Sequence, residues 1–566
     1  MKISRYTICL IAIVLIGFTM RMWQLGNVPP SPNWDEVALG YNAYSLLHTG
    51  KDEYGKFLPA VLRSYDDYKP AAYAYFVIPS IAVFGLNVFA VRFPAAFFAT
   101  LAILAVYFLI RELFHRKVIE IGGKEIRTEV FGLLCAFLLA ISPWHLQFSR
   151  IAFESNVGVA FNIFAVLFFL LGLRKPVFLL LSAFCFGITP SIYQSDKVFT
   201  PILFLITVLL YRKEVMKIPK RYLLLSVLIG VITLFPPVWF QFTDKQALAR
   251  AQGVSIFANQ TEFLKGTSAK LLDDRSRGDV VGLLFNNRRV EFAKAVVAGY
   301  LSHFSLNWLF VHGDLPRHHT PFFGLLYLWE LPFLFIGIYA LFFGKFDRRI
   351  KLLIFLWFLA APIPASITSG VPHAVRTLNF LPMFQILSGI GLLSSVVFLY
   401  TIANGSGRRR WGIYFVGGVY SIFIVTNTAF FLNEYFVQQN YYTSVDWQYG
   451  YKESVGSLKD SDAKYNKIIV TNKPPLDQSY MFFLFYLQYP PEKYQQESLG
   501  ERSGGFRENH VFGKYEFRPI DWKNESKNIG TLYVGRPSDF PSDIKVLKEV
   551  KYLNGEAAIR LVEGEE

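Results

Sequence analysis

The stretch AAYAYFVIPSIAVFGLNVFA, residues 71–90, is apolar enough for a membrane span, and whether it crosses decides the topology of everything after it. If it crosses, the break from Arg111 to Arg127, with His115-Arg116-Lys117, lies outside and every later basic loop inverts. Those loops are Arg174-Lys175, Arg212-Lys213 with Lys217, Lys220 and Arg221, Arg348-Arg349, and Arg408-Arg409-Arg410. Cytoplasmic loops carry such an excess of Lys and Arg. Reading 71–90 as helices that lie along or dip into the outer interface places all of these breaks, with Lys2 and Arg5, on the cytoplasmic side.

Apolar runs then give eleven spans, at roughly 6–23, 93–113, 130–144, 157–173, 176–191, 198–211, 222–241, 322–343, 351–366, 378–400 and 411–432. The chain has 566 residues and is 53% hydrophobic, which supports this many. The first run, Tyr6 to Met20, is followed by Arg21-Met22-Trp23-Gln24 without a small-residue cleavage pattern, so it reads as a retained span. The fold class expected is mainly α, a polytopic membrane protein with a small external α/β domain at its C-terminal end. Residues 1–432 form the transmembrane part, with external loops at 24–92, 145–156, 242–321 and 367–377, and residues 433–566 form the soluble domain. In that domain KYNKIIVTN (464–472) and GTLYVG (530–535) read as strands, DQSYMFFLFYL (477–487) as a buried helix, and the stretches around 544–552 and 557–563 as closing strands. The chain is expected in the cell membrane, with its N-terminus on the cytoplasmic side and the C-terminal domain on the external side.

The formal net charge of +15 sits in the cytoplasmic breaks, and from Asn433 onward acids and bases nearly balance. No basic strip is left for nucleic acid. Cys9, Cys135 and Cys185 all lie in apolar runs, which excludes a disulfide framework and a CxxC metal pattern.

With this topology the polar groups converge on the external face. Asp35 and Glu36 follow the first span, in the stretch PNWDEVALGYNAY (32–44); Asp66, Asp67 and Lys69 follow in the same loop. Arg92 opens the second span, and Arg150 and Glu154 occupy the next external turn. His312, Asp314, Arg317, His318 and His319 precede the eighth span, and His373 and Arg376 lie in the turn SGVPHAVRTL. Among the spans, Glu330 is the one clear charge. A carrier or channel keeps ionisable groups near the midplane, often in duplicated halves, so chemistry at the outer surface suits this pattern better. A reaction on a lipid-linked phosphate needs cations at headgroup height to hold the leaving phosphate, and a carboxylate to take the proton of the attacking hydroxyl.

Four stretches carry a family resemblance. WDEVALGY (34–41), YDDYKPAAYAY (65–75) and AVRFPAAFFATLAILAVYFLIREL (90–113) resemble the dolichyl-phosphate-mannose protein mannosyltransferases and the bacterial relatives that move aminoarabinose or other sugars from undecaprenyl phosphate. SPWHLQFSRIAFESNVGVAFNIF (142–164) fits the family's next external turn, where an Arg is followed four residues later by an acid. The likeness is best over roughly the first 200 residues; beyond them it is one of architecture, and the C-terminal domain shows no family motif. The resemblance implies a GT-C glycosyltransferase with a polyprenyl-phosphate sugar donor, an external active site and inversion at the anomeric carbon. It implies that Asp35 is the catalytic base or the acid that positions the acceptor, with Glu36 its partner. Lys69 stands at the Lys-Pro of the lipid-A-modifying relatives, where the cation holds the donor phosphate; they read Lys-Pro-Pro, whereas this chain has Lys69-Pro70-Ala71. Arg150 and Glu154 match the second external turn, with Glu154 where many relatives have Asp.

The site set expected is therefore Asp35 and Glu36 for catalysis, and Lys69, Arg92, Arg150, Glu154, Asp66, Asp67, His318, His319, His373 and Arg376 for donor phosphate and substrate. The same letters have plainer uses: an N-cap acid, an interfacial lysine, a helical Arg150–Glu154 pair. No metal or other cofactor is expected, because protein mannosyltransferases generally work without one and the histidine spacing matches no closed motif; His312 and Asp314 are the weak metal candidates. The partners expected are a polyprenyl-phosphate-linked sugar, a protein, lipid or glycan acceptor, and the bilayer. Two other readings stand beside this one: a metal-dependent oligosaccharide transferase or polymer ligase of the same class, and a translocase for lipid-linked sugar that performs no chemistry.

Overall fold

The computed structural model describes residues 4–65, 67–115, 118–121, 123–243, 253–403, 407–459, 464–497 and 509–564. Among them seven helices are long and apolar enough to cross a membrane: Arg5–Met22, Val88–Leu113, Ser155–Gly172, Lys220–Thr243, Arg348–Ser366, Leu378–Ala403 and Arg410–Thr443. The pair Thr128–Ile141 and Pro143–Ser149, bent by 59° where Ser142 and Pro143 interrupt the run, makes an eighth if taken as one span. Three of the eleven expected spans correspond to shorter helices, Phe178–Ser191, Asp196–Leu210 and Glu330–Phe343. Each falls short of the ~20 residues a straight crossing needs. The polar segment Tyr193-Gln194-Ser195 breaks the run between the first two of them.

The stretch 71–90 is split. Helix α3 (Ala72–Phe84) has 13 residues, about 20 Å at the usual rise, and stops at Gly85 with φ 74°. That is too short to cross alone. Asn87 then caps the long helix by accepting a hydrogen bond from the Ala90 amide at 2.9 Å, so the second span starts at Val88 rather than near residue 93. With α1 (Arg5–Met22) and α2 (Trp34–Thr49) before it, this span is α4 (Val88–Leu113). It is followed by α5 (Thr128–Ile141), α6 (Pro143–Ser149), α7 (Ser155–Gly172), α8 (Phe178–Ile188) and α9 (Asp196–Leu210). A two-stranded hairpin, β1 (Val61–Ser64) and β2 (Asp67–Pro70), lies between α2 and α3.

Small residues let the later helices close on one another. A Cβ on Gly337 would lie 1.8 Å from the Leu387 carbonyl oxygen, and one on Gly391 1.8 Å from that of Phe333. The helices Glu330–Phe343 and Met383–Ala403 therefore touch backbone to backbone, the approach that small residues permit inside a bilayer.

The C-terminal region forms a six-stranded mixed sheet in the order His510–Phe512, Tyr515–Phe517, Lys467–Val470, Thr531–Gly535, Ala557–Glu563, Lys548–Lys551. The expected strands and the helix Ser479–Leu487, buried from Ser479 to Phe485, are all present; the 510–517 hairpin is an addition. This region packs on α2. Phe485 meets Gly40, the Tyr41 hydroxyl donates to the Tyr489 carbonyl at 3.1 Å, and the Trp34 amide donates to Gln448 Oε1 at 3.2 Å.

Candidate active site

A capping box fixes the start of α2 and with it the directions of the two acids. Asn33 Oδ1 accepts from the amides of Asp35 (2.8 Å) and Glu36 (3.1 Å), while Glu36 Oε2 accepts from the Asn33 amide (3.1 Å). Glu36, at N3, thus turns back into the protein, and Asp35, at N2, faces a cleft.

The expected pairing of Glu36 with Asp35 in the reaction does not match its position. Its oxygens accept Arg92 Nε at 2.8 Å, Arg92 Nη2 at 3.1 Å and the Ala152 amide at 2.9 Å, and the side chain is sealed from solvent. Arg92, expected at the donor phosphate, gives its remaining N–H groups to the carbonyls of Leu25 (3.1 Å), Pro29 (2.9 Å) and Ser31 (2.8 Å). Its five donors are all engaged. Arg150 is likewise turned inward: it donates to the carbonyls of Met20 (2.7 Å), Arg21 (3.0 Å) and Val28 (3.0 Å) and lies against the rings of Tyr435 and Phe436. These three side chains tie the end of α1 to the turns that follow it. None of them lines the cleft.

The cleft, a cavity of about 130 Å³, brings Asp35 together with Lys69, Glu154, His318, His373 and Arg376 from the expected set. Leu62 faces Lys69 across the β1–β2 hairpin, and Lys69, nearly buried, forms an ion pair with Asp35. The hairpin is held down by Gln194, whose Nε2 donates to the Tyr68 carbonyl at 2.7 Å. Gln194 and Tyr193, from the short segment between α8 and α9, also line the cleft. Burial pushes the Glu154 carboxyl up to about 7; Lys69 opposes the shift and Asp35 adds to it.

One cation here escaped the expected set. Arg317 lies 3.9 Å over the Trp34 ring and lines the cleft, with a buried Nη1 that has no hydrogen-bond partner among the described residues. Arg376 is held by Thr368 Oγ1 at 2.6 Å and the Ser369 carbonyl at 2.7 Å. The cleft therefore sets three cations against two carboxylates, one of which is half protonated near neutrality.

His318 and His373 form one wall, with ring centroids 5.0 Å apart. His318 Nδ1 lies 3.2 Å from Asp314 Oδ2, which also accepts the Ala374 amide at 2.5 Å. Burial, the largest influence on Asp314, pushes its carboxyl up, but the His318 bond, the two histidines and the Ala374 amide outweigh it and leave it below the usual range. His373 is pushed below the usual imidazole range by burial, then by Arg376 and His318. His312 and His319 stand apart: His312 Nδ1 meets Asn307 Oδ1 at 2.6 Å and His319 Nδ1 meets the Phe323 carbonyl at 2.9 Å. Of the two weak metal candidates only Asp314 joins a cluster, and its companions are His318 and His373. Asp66 and the side chain of Asp67 lie outside the described residues.

Residues 68–240 match the family model described as dolichyl-phosphate-mannose-protein mannosyltransferase. Among solved structures, the apo form of ArnT from Cupriavidus metallidurans superposes with a TM-score of 0.52 at 13% identity, over 98% of this chain and 97% of that one. The fold is that of the GT-C glycosyltransferases. The same ArnT bound to undecaprenyl phosphate gives a TM-score of 0.50 at 12% identity, with the same coverage. AglB, the oligosaccharyltransferase of Archaeoglobus fulgidus, in complex with an inhibitory peptide and a dolichol-phosphate, gives 0.50 at 13% identity over 94% of this chain and 69% of that one. No curated protein matches the chain by sequence. The GT-C fold includes the part that sequence resemblance leaves bare: the coverage runs through the later helices and the C-terminal sheet.

Proposed function

We propose that this chain is an integral membrane glycosyltransferase that moves a sugar, mannose or a related one, from a polyprenyl phosphate to an acceptor hydroxyl or amine at the outer face of the cell membrane, with inversion. The observation that carries the reading is the Asp35–Lys69 ion pair in a cleft that also holds Arg317 and Arg376. ArnT and AglB, the fold neighbours, are complexed with undecaprenyl phosphate and dolichol-phosphate, which supports a lipid of the same kind as donor here.

In this reading Lys69 and Arg317 hold the donor phosphate, and Asp35, released from Lys69 as the phosphate takes its place, accepts the proton of the acceptor. The acceptor oxygen or nitrogen bonds to the anomeric carbon from the face opposite the phosphate. The bond from that carbon to the phosphate oxygen breaks, and polyprenyl phosphate leaves with the electron pair. The cations stabilise the charge that grows on the leaving phosphate, where electrostatic preorganisation contributes most. Asp35 supplies general base catalysis, about 10²–10⁴-fold. Glu154, which lines the cleft and is neutral below about pH 7, leaves the donor phosphate free of like-charge repulsion.

The test is transfer of label from radiolabelled polyprenyl-phosphate mannose, then from other sugars, into membranes containing wild type or Asp35→Asn. Label entering a product with wild type alone is the expected result. Equal label with both removes Asp35 as the base of a lipid-phosphate transferase and favours the metal-dependent reading; none with any donor favours the translocase.

A further inference from the structure

Two histidines of the cleft wall and one carboxylate meet from loops far apart in the chain. Asp314 and His318 come from the approach to the helix Glu330–Phe343, and His373 from the turn before Met383. One ligand atom from each lies within 4.8 Å of the other two. Tetrahedral zinc, with bonds of 2.0–2.2 Å to nitrogen and oxygen, separates its ligands by about 3.4 Å, so closure takes about an ångström of side-chain movement.

The surrounding contacts hold these groups in place. The Ala374 amide on Asp314 Oδ2 links the two loops directly. The His373 amide donates to His303 Nε2 at 3.1 Å, and His303 Nδ1 in turn lies 2.7 Å from the Gly299 carbonyl. An Nε2 that accepts and an Nδ1 that donates make His303 the neutral tautomer, a fixed support behind His373. Phe148 and Phe153 flank the His318 ring. Within this frame His373 Nδ1 is buried without a hydrogen-bond partner among the described residues. A buried, unpaired imidazole nitrogen costs free energy unless something binds it, and a metal ion is a ligand that a nearby His and carboxylate would share.

We propose that Asp314, His318 and His373 bind a divalent transition-metal ion of the zinc class, with an open coordination position that faces the cleft and takes a phosphate oxygen. Two imidazoles and one carboxylate suit zinc or cobalt, whereas magnesium and calcium take oxygen ligands. Three protein ligands leave the fourth position open. Lys69, Arg317 and Arg376 border the same cleft, so the ligand that completes the sphere is an anion. Metal binding stands independently of the transferase reading; only the assignment of the anion as the donor phosphate rests on it.

The test uses the full chain, purified in detergent through a histidine-free tag and stripped with chelator. Cobalt chloride is titrated alone, and the visible ligand-field bands are read with the bound metal content. One saturable equivalent is expected in wild type and in His312→Ala. In His318→Asn and His373→Asn the affinity should fall about 100-fold or more, beyond the 10–100-fold that outer contacts alone control. No saturable spectrum in wild type overturns the site, whatever the variants do. So does full binding by both variants. Inorganic phosphate added to the cobalt form should shift the bands, and an unchanged spectrum overturns the assignment of the open position. No donor or turnover enters these readouts, so an inactive protein that binds cobalt separates failure of the transferase reading from failure of this one.

Discussion

Arg92 Nε lies 2.8 Å from Glu36 Oε1, and both side chains are sealed from solvent, one residue along α2 from an aspartate that faces an open cleft. Adjacent acids thus belong to different layers of the molecule. The capping box makes the division: an N3 acid must turn back to the N-cap amide, which leaves the N2 acid free to project.

The two acids should therefore fail differently. Glu36→Gln removes the charge that faces Arg92 and leaves the guanidinium buried without its counterion. Breaking a buried pair in this way costs about 3–5 kcal/mol. The expected outcome is a lower unfolding temperature and a low yield of folded protein. Asp35→Asn should keep folding and yield near wild type and lower transfer by about 100-fold or more, the weight of a general base. Thermal unfolding of both purified variants, with transfer assayed in parallel, checks the pair. A Glu36→Gln protein that is stable but inactive would assign Glu36 to the chemistry.

Arg317 should act on the donor. Its guanidinium rests on Trp34 with one nitrogen unpaired, which is how a side chain held ready for an anion looks before the anion arrives. A hydrogen bond to a charged group contributes about 1.5–3 kcal/mol, so Arg317→Ala should raise the donor KM by roughly 10- to 100-fold with little effect on the acceptor KM. Arg317→Lys should recover only part of this, because an ammonium neither stacks on the indole as a plane nor offers a fork of donors. Initial rates with donor and acceptor varied separately decide it; an unchanged donor KM in Arg317→Ala would remove the residue from the phosphate site.

The fold was legible because membrane spans are long apolar runs with polar ends, and because the central strands of the C-terminal sheet are short apolar runs that end at turns. Helix length was less so: a hydropathy run does not reveal that Tyr193-Gln194-Ser195 turns back to touch the β2 strand, which is what shortens the two helices around it. In the site, Asp35, Lys69 and Glu154 were legible from local motifs. Arg92 and Arg150 carry the same letter as Arg317, and nothing local separates an arginine that clamps backbone carbonyls from one that stacks over an aromatic ring in a cleft. The distinction lies in tertiary partners: Glu36 for Arg92, the end of α1 for Arg150, Trp34 for Arg317. The histidines divide for the same reason, since His318 finds its partner His373 only when two distant loops meet.

The basic breaks predict the orientation of the bundle, and that expectation is open to a direct check. A reporter fused after Tyr400 should be active only as a cytoplasmic marker, and one after Leu432 only as an external marker. The apolar helix between the two points, Gly407–Asn433, is long enough to separate them. Reversed reporters would put the cleft on the cytoplasmic side and exclude an external acceptor.

The last expectation concerns pH. Burial raises the Glu154 carboxyl to about 7, against an ordinary value of 4.5, so at pH 6 the group is mostly neutral and at pH 8 mostly charged. A sugar joined to polyprenyl phosphate is a phosphodiester and does not titrate in this range. The charged Glu154 repels it; the neutral one does not. Donor affinity should thus be fully present below the midpoint and be lost as pH rises through about 7, which reads as a donor KM several-fold higher at pH 8 than at pH 6. Folding stability shares the sign: the folded state binds the extra proton, so the stability this group contributes is complete below its unfolded value and is lost as pH climbs through about 7. Glu154→Gln is neutral at every pH and should flatten both dependences while holding the low-pH donor KM. If the variant keeps the wild-type rise in KM, the titrating group is another one, and Glu154 does not face the phosphate.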